Sequence, residues 1–279
     1  MRFPLEFVAS LATIAGAVAS VAALLQDRGW LLVTGLLFVG TSIVAVWYAR
    51  KKQVALDAAS IVIEGHNIDS LNIASLRRRV DHSFVVQKAI QTARIEGENL
   101  EVTWKYSGYC KEDGVATFDF SVDADDNSSF DQLNCVAYDL SHDWVMAHEI
   151  RPFLIGADGI SKKIAVPFLE PLTANQPFDL LLRFRLPGSL KAGFGYYTST
   201  LSFSQDRVQY HEVRLIFVGA TPKWLRVYEC APERPPSLLK TLAPVRQETG
   251  FCEYVDIDEH REGRSARVYV FWRDSAASK

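Results

Sequence analysis

Two runs without a charged side chain, residues 7–25 and 30–48, lie close together near the N-terminus and constrain this chain more than any other feature. At about 1.5 Å per helical residue, each is long enough to cross a hydrocarbon core about 30 Å thick. Gln26, Asp27, Arg28 and Gly29 between them suit a short polar turn, so an antiparallel pair of transmembrane helices is expected within residues 1–52. Trp30, Trp47 and Tyr48 stand where aromatic rings favour the headgroup level, and Arg2 with Arg50, Lys51 and Lys52 predicts both ends on the cytoplasmic side. A cleaved signal peptide over residues 2–25 is the competing expectation. The length of the first run and the second run directly after it count against that. Ala12, Gly16 and Ser20 recur every four residues, a spacing that lets helices approach closely, within one chain or between the chains of a homo-oligomer.

Beyond these runs the composition is that of an ordinary folded domain. Residues 1–52 hold Arg2, Arg28, Arg50, Lys51 and Lys52 against Glu6 and Asp27, a balance of +3. The remainder is left with −6 in a chain whose net charge is −3. An acidic domain lacks the dense cationic surface that generic nucleic-acid binding requires. Residues 53–82 read as a connector. Asp69 is placed to cap a short helix through Leu71, Ala74 and Leu76, ending in Arg77, Arg78 and Arg79, which suit either anionic lipid or a solvated helix end.

From about Ser83 the hydrophobic period becomes two. Residues 100–106, 116–122, 134–138, 163–168, 178–186, 196–203, 211–218, 224–230 and 266–272 read as strands separated by Gly-, Asn-, Asp- and Pro-containing turns. So many short strands without a long helical stretch predict a β-sandwich or β-barrel over residues 83–279, behind the two transmembrane helices.

Chemistry-bearing residues are scattered. Asp123, Asp125, Asp126, Asn127 and Asp131 have some of the spacing of a calcium loop, but Ser128 replaces its tight-turn glycine and Asn134 its closing glutamate, so a polar hairpin turn is expected. His142, His148 and Glu149 are spaced wrongly for a zinc-protease helix. Asp256, Asp258, Glu259 and His260 mix ligand types beside Arg261 and Arg264 in what reads as a solvated loop. Cys110, Cys135, Cys230 and Cys252 lie far apart and read as buried thiols. No GxSxG elbow or GxxxxGK[ST] loop is present. Arg183 and Arg185 share one strand face, and with Lys191, Tyr196 and Tyr197 they are the candidate walls of a ligand pocket, cations for phosphate and rings for stacking. Gly193 and Gly195 beside them read as a turn that opens a strand.

Two uncharged spans, the Arg50-Lys51-Lys52 stop, and strands such as LEVTWKY and ATFDFSV without a catalytic motif resemble the two-transmembrane, β-rich effectors of bacterial cyclic-oligonucleotide antiphage systems. That resemblance implies an inner-membrane protein without enzymatic activity. Its cytoplasmic β domain would bind a nucleotide signal or a partner protein, and its helices would oligomerise to perturb the bilayer. The alternative expectation is a membrane anchor or scaffold that recruits a partner protein through the β domain. A hydrolase built on the acidic loop or on His142 and His148 is a third. No cofactor or metal is expected.

Overall fold

The computed structural model describes residues 61–68, 83–123, 128–141, 148–158, 161–190, 193–201, 207–231, 234–261, 263 and 265–273. All of these fall within the compact unit Ser60–Lys279. Among them are seventeen strands and one 3-10 turn, Asp131–Leu133.

Alternation of apolar and polar residues drives the strands, as in β10 (Pro177–Leu186). Phe178, Leu180, Leu182, Phe184 and Leu186 are buried, while Arg183 and Arg185 point outward. β10 belongs to an eight-stranded sheet ordered β15 (Arg246–Glu248), β16 (Phe251–Arg261), β12 (Val208–Val218), β3 (Phe84–Glu96), β4 (Asn99–Cys110), β10, β6 (Val136–Asp139) and β7 (His148–Ile150). The ladders are antiparallel except between β12 and β3. A four-stranded sheet runs β11 (Gly193–Thr200), β17 (Ala266–Arg273), β13 (Trp224–Ala231), β14 (Arg234–Thr241). A three-stranded sheet runs β5 (Val115–Asp123), β9 (Ser161–Leu172), β8 (Phe153–Asp158), and β1 (Ile61–Ile63) forms a hairpin with β2 (His66–Ile68).

Both smaller sheets pack on the same face of the large one. A single core cluster joins Val102, Leu182 and Leu215 of the large sheet to Phe118, Phe120 and Ile164 of the three-stranded sheet and to Leu225, Tyr269 and Phe271 of the four-stranded sheet. Ring contacts locate the two halves. Trp104 meets Phe120 edge-on at 5.6 Å, and Phe217 meets Phe271 edge-on at 5.0 Å. The opposite face of the large sheet is solvated and zipped by charge. Arg246, Glu253, Ile216, Arg94, Glu101 and Arg185 stand side by side across six strands, so that most neighbours are opposite in sign.

β17 is buried on both faces. Tyr269 and Phe271 enter the main core, while Ala266, Val268 and Val270 form a second cluster with Cys230 and with Ile63 and Ile68 of the hairpin. The domain is thus three layers deep where the hairpin lies. Residues 61–68 of the expected connector are therefore part of the β unit.

The fold class is corrected in its membrane part. Among the described residues no helix is long and apolar enough to cross a membrane, and the described apolar residues find their burial between sheets. The runs 7–25 and 30–48 lie outside the described residues, as do Ala12, Gly16, Ser20, Arg50, Lys51, Lys52, the helix expected after Asp69, and Arg77, Arg78 and Arg79. What is described is a mainly β fold. A helical membrane anchor, a multi-pass inner-membrane location and helices that oligomerise have no place in the functional account below.

Two glycines are required by close approach. A Cβ at Gly108 would lie 1.9 Å from the Val85 carbonyl oxygen, where the β3–β4 register slips between Val86 and Lys88, and one at Gly195 would lie 2.5 Å from the Phe271 ring. Gly108→Ala is therefore expected to lower the unfolding free energy by about 3 kcal/mol or more in urea denaturation. Gly156→Ala, with open space around its Cβ, should leave the midpoint nearly unchanged. Equal midpoints for the two variants would contradict this packing.

Candidate functional site

Of the five residues expected to wall a pocket, the four that are described are not gathered into one. Arg183 and Arg185 project from the solvated face of β10, where both reach the Glu101 carboxylate on β4, at 3.1 and 4.0 Å. Tyr196 and Tyr197 alternate across β11. Tyr197 enters the main core and Tyr196 packs in the outer cluster, and Lys191 lies outside the described residues. Gly193 opens β11, as its sequence position suggests. His148 and Glu149 are exposed on the short edge strand β7, while His142 and residues 124–127 lie outside the described residues. Among the described residues no group of three His, Cys, Asp or Glu side chains is placed to hold a metal. All four cysteines are free. Cys110, Cys230 and Cys252 are buried, and burial pushes the Cys230 thiol up to about 11 and that of half-buried Cys135 to about 12.

Most of the stretch expected as a solvated loop is instead strand β16, in which Asp256 is buried and Asp258 half-buried while Glu259 and His260 are exposed. Asp256 Oδ2 accepts hydrogen bonds from Arg267 Nη1 at 3.1 Å and from the Tyr269 hydroxyl at 2.8 Å, and Lys240 pairs with its other oxygen. Arg267 also pairs with Asp258. The acids stand on the large sheet and the cations and Tyr269 on the four-stranded sheet, so the cluster stitches the two layers. Beside it Trp104 Nε1 donates to the Tyr197 hydroxyl at 3.0 Å, which donates to Gln91 Oε1 at 3.2 Å, and Gln91 Nε2 donates to the Tyr106 hydroxyl at 2.9 Å.

One pair here has the components of a nucleophile and a base. Ser199 Oγ lies 3.0 Å from His211 Nε2. The third member has the wrong sign, since Arg261 Nη1 lies 2.8 Å from Nε2 and 3.1 Å from Nδ1 where a catalytic pair needs a carboxylate to steady the imidazolium. Burial, with Arg261 and Arg267 nearby, drives the imidazole down to about 2, and His211 is 0% exposed. It is a neutral hydrogen-bonding core residue, and the Arg261 guanidinium is fixed around it by the carbonyls of Ser199 and Ser265.

Among the described residues, sheet edges face solvent with bonding capacity unspent. β15 and β7 are three-residue edge strands. β14 carries Pro235 and Pro236 and two register shifts, and β5 turns Asp119 outward beside Lys163. These are the usual ways in which edges are blunted. Two edges differ: β11 of the four-stranded sheet has no further described strand beside it but carries half-buried Phe194 and Tyr196, whereas on β8 Phe153, Leu154 and Ile155 are 45%, 42% and 43% exposed in succession. Phe153 pairs with Ala165 and Leu154 with Ile164 of β9. The register shifts at Ile155 before Gly156 meets Lys163, and no described strand lies along the other side. Successive residues of a strand point to opposite faces, so β8 offers apolar side chains on both. Leu169, on β9 of the same sheet, is 50% exposed. A run of three apolar residues at 153–155 was visible in the sequence, but its edge position was not.

No protein-family model matches the chain, and no curated protein matches it in sequence.

The interior chemistry gives a pH signature. Below pH 6.5 the unfolded chain protonates His211 while the folded chain holds it neutral until about pH 2. Its contribution to stability, complete above pH 6.5, is therefore lost as the pH falls. Between pH 6.5 and about 4.5 the wild type should lose about 2–3 kcal/mol more than His211→Gln in paired urea titrations. Parallel pH profiles would contradict a buried neutral histidine.

Proposed function

We propose that the β domain is a non-enzymatic protein-recognition module that accepts an extended segment of a partner protein as an added strand along β8. The observation that carries this reading is the succession of exposed Phe153, Leu154 and Ile155 on an edge strand with no described neighbour on its outer side. In strand addition the free backbone N–H and C=O groups of the edge supply affinity, and alternate side chains supply specificity. The segment that fits is extended, free of proline over about three to five residues, and apolar on both sides of its strand. A binding role also accords with the interior, where the Ser199 and His211 pair is sealed and meets a guanidinium.

A phage-displayed library of random linear peptides, panned on the full-length chain, tests the reading. Enriched peptides should be apolar and extended, and Leu154→Lys should weaken their binding by about tenfold or more, the scale of an interface anchor. Leu238→Lys, on the proline-bearing edge strand β14, should leave it unchanged. Failure to enrich any peptide, or enrichment indifferent to Leu154→Lys, would overturn the proposal. So would a homodimer in sedimentation velocity that dissociates on Leu154→Lys, because a second copy would then fill the edge.

A further inference from the structure

The hairpin of β1 and β2 is the smallest of the described sheets. Its ladder is internal, with Val62 opposite Asn67 and Ile63 opposite His66, and it shares no ladder with another sheet. Two strands of three residues are not stable alone in water. The hairpin therefore stands only while it is held against the outer face of the four-stranded sheet.

What holds it is countable by eye. Ile63 and Ile68 sink beside Cys230, Val268 and Val270, while Val62 on the opposite side is exposed. The His66 ring stacks on Phe194 with centroids 3.8 Å apart and planes 5° from parallel. Glu64 pairs with Arg226 Nη1 at 2.6 Å and accepts a hydrogen bond from the Tyr228 hydroxyl. Arg226 in turn lies over the Trp224 ring. The latch residue itself sits in the turn. Glu64 and Gly65 have φ of 54° and 75°, the two positive values of a two-residue type I′ hairpin turn, and only the glycine adopts such a value without cost.

The outer face of β11 is imperfectly satisfied. The hydroxyls of Thr198 and Thr200, on the same outer face of β11, have side-chain oxygens sealed from solvent with no hydrogen-bond partner among the described residues. Elements with few buried contacts and their own ladder open below the global unfolding free energy.

From these observations we propose that the β1–β2 hairpin is a displaceable strap. While the sandwich beneath stays folded, its release bares a sheet face bearing Phe194, Tyr196, Trp224, Arg226 and Tyr228, together with the Cys230 thiol. The strap is independent of the β8 edge, which belongs to another sheet. It works as an intramolecular competitor. Its two isoleucines and one carboxylate occupy a face of aromatic rings and a guanidinium, so the segment that displaces it has the same apolar and acidic chemistry.

Cys230 reports the opening. The native full-length chain is treated with N-ethylmaleimide, and modification at each cysteine is followed by peptide mass spectrometry. Cys230 is expected to react faster than Cys252, which is as deeply buried in the main core. Ile63→Ala should speed modification of Cys230 by about tenfold or more, and Glu64→Gln by about two- to fivefold, the scale of an exposed ion pair. Neither should change the rate at Cys252. Glu64→Gln lies on the surface, so it keeps the test valid if Ile63→Ala lowers overall stability. Cys230 reacting in step with Cys252, or at a rate indifferent to Glu64→Gln, would show that the hairpin opens only with the whole domain and would overturn the proposal.

Discussion

A carboxylate with almost no access to water, Asp256, sits on the inner face of the large sheet, and the stacking of the layers depends on how it is neutralised. Its partners, Arg267, Lys240 and Tyr269, all come from the four-stranded sheet. Apolar side chains alone tolerate sliding of one sheet over another. A buried carboxylate does not, because a shift that parts it from its cations leaves an unpaired charge in a medium of low polarity, a loss of about 3–5 kcal/mol when one partner of a buried pair is removed. The pair therefore contributes placement more than net stability. It sets β17 across β16, and β17 then serves as the middle layer between the main core and the hairpin.

That placement has consequences for where the domain can meet other molecules. One face of the large sheet is given over to the core and the other to charge pairs, across strands as in Arg214 with Glu253 and along one strand as in Arg214 with Glu212. Such a face is well solvated and self-satisfied. The polar interior is likewise closed on itself, from Trp104 through Tyr197 and Gln91 to Tyr106, and from Ser199 through His211 to Arg261. Unspent bonding capacity is left at the periphery. β8 has an outer backbone edge without a described strand beside it and three partly exposed apolar side chains, and the hairpin covers part of the outer face of the four-stranded sheet through a few separable contacts.

Much of the strand content was legible in the sequence because these strands alternate strictly. Seven of the nine runs fall within strands β4, β5, β9, β10, β12, β13 and β17, while 134–138 and 196–203 overlap β6 and β11 in part. β16 was missed for a physical reason. Its inward positions after Tyr254 are Asp256 and Asp258, which read as solvent-facing until Arg267 and Lys240 arrive from other strands. β14 was hidden by Pro235 and Pro236, which an edge strand tolerates and a central one does not. β1 and β2 were too short for periodicity, and their turn residues Glu64 and Gly65 carry only half of the usual signal. Tyr196 and Tyr197 are parted by parity, since adjacent tyrosines in a strand cannot line one wall, and Arg183 and Arg185 stand on a strand of another sheet. The long uncharged runs led the sequence reading toward a membrane anchor. The described chain answers with sheets that bury their own apolar faces, and with no helix long and apolar enough to cross a bilayer among its residues.

Amide hydrogen exchange along β8, read residue by residue with and without a selected peptide, most directly measures whether this edge receives a strand. In the free protein, alternate amides among Phe153, Leu154, Ile155, Gly156 and Ala157, those facing away from β9, should exchange nearly as fast as loop amides. With peptide bound they should slow together, while the amides of β5 and β14 keep their rates. Protection of those β8 amides already in the free protein, or peptide-induced protection at another edge with β8 unchanged, would contradict recognition by strand addition.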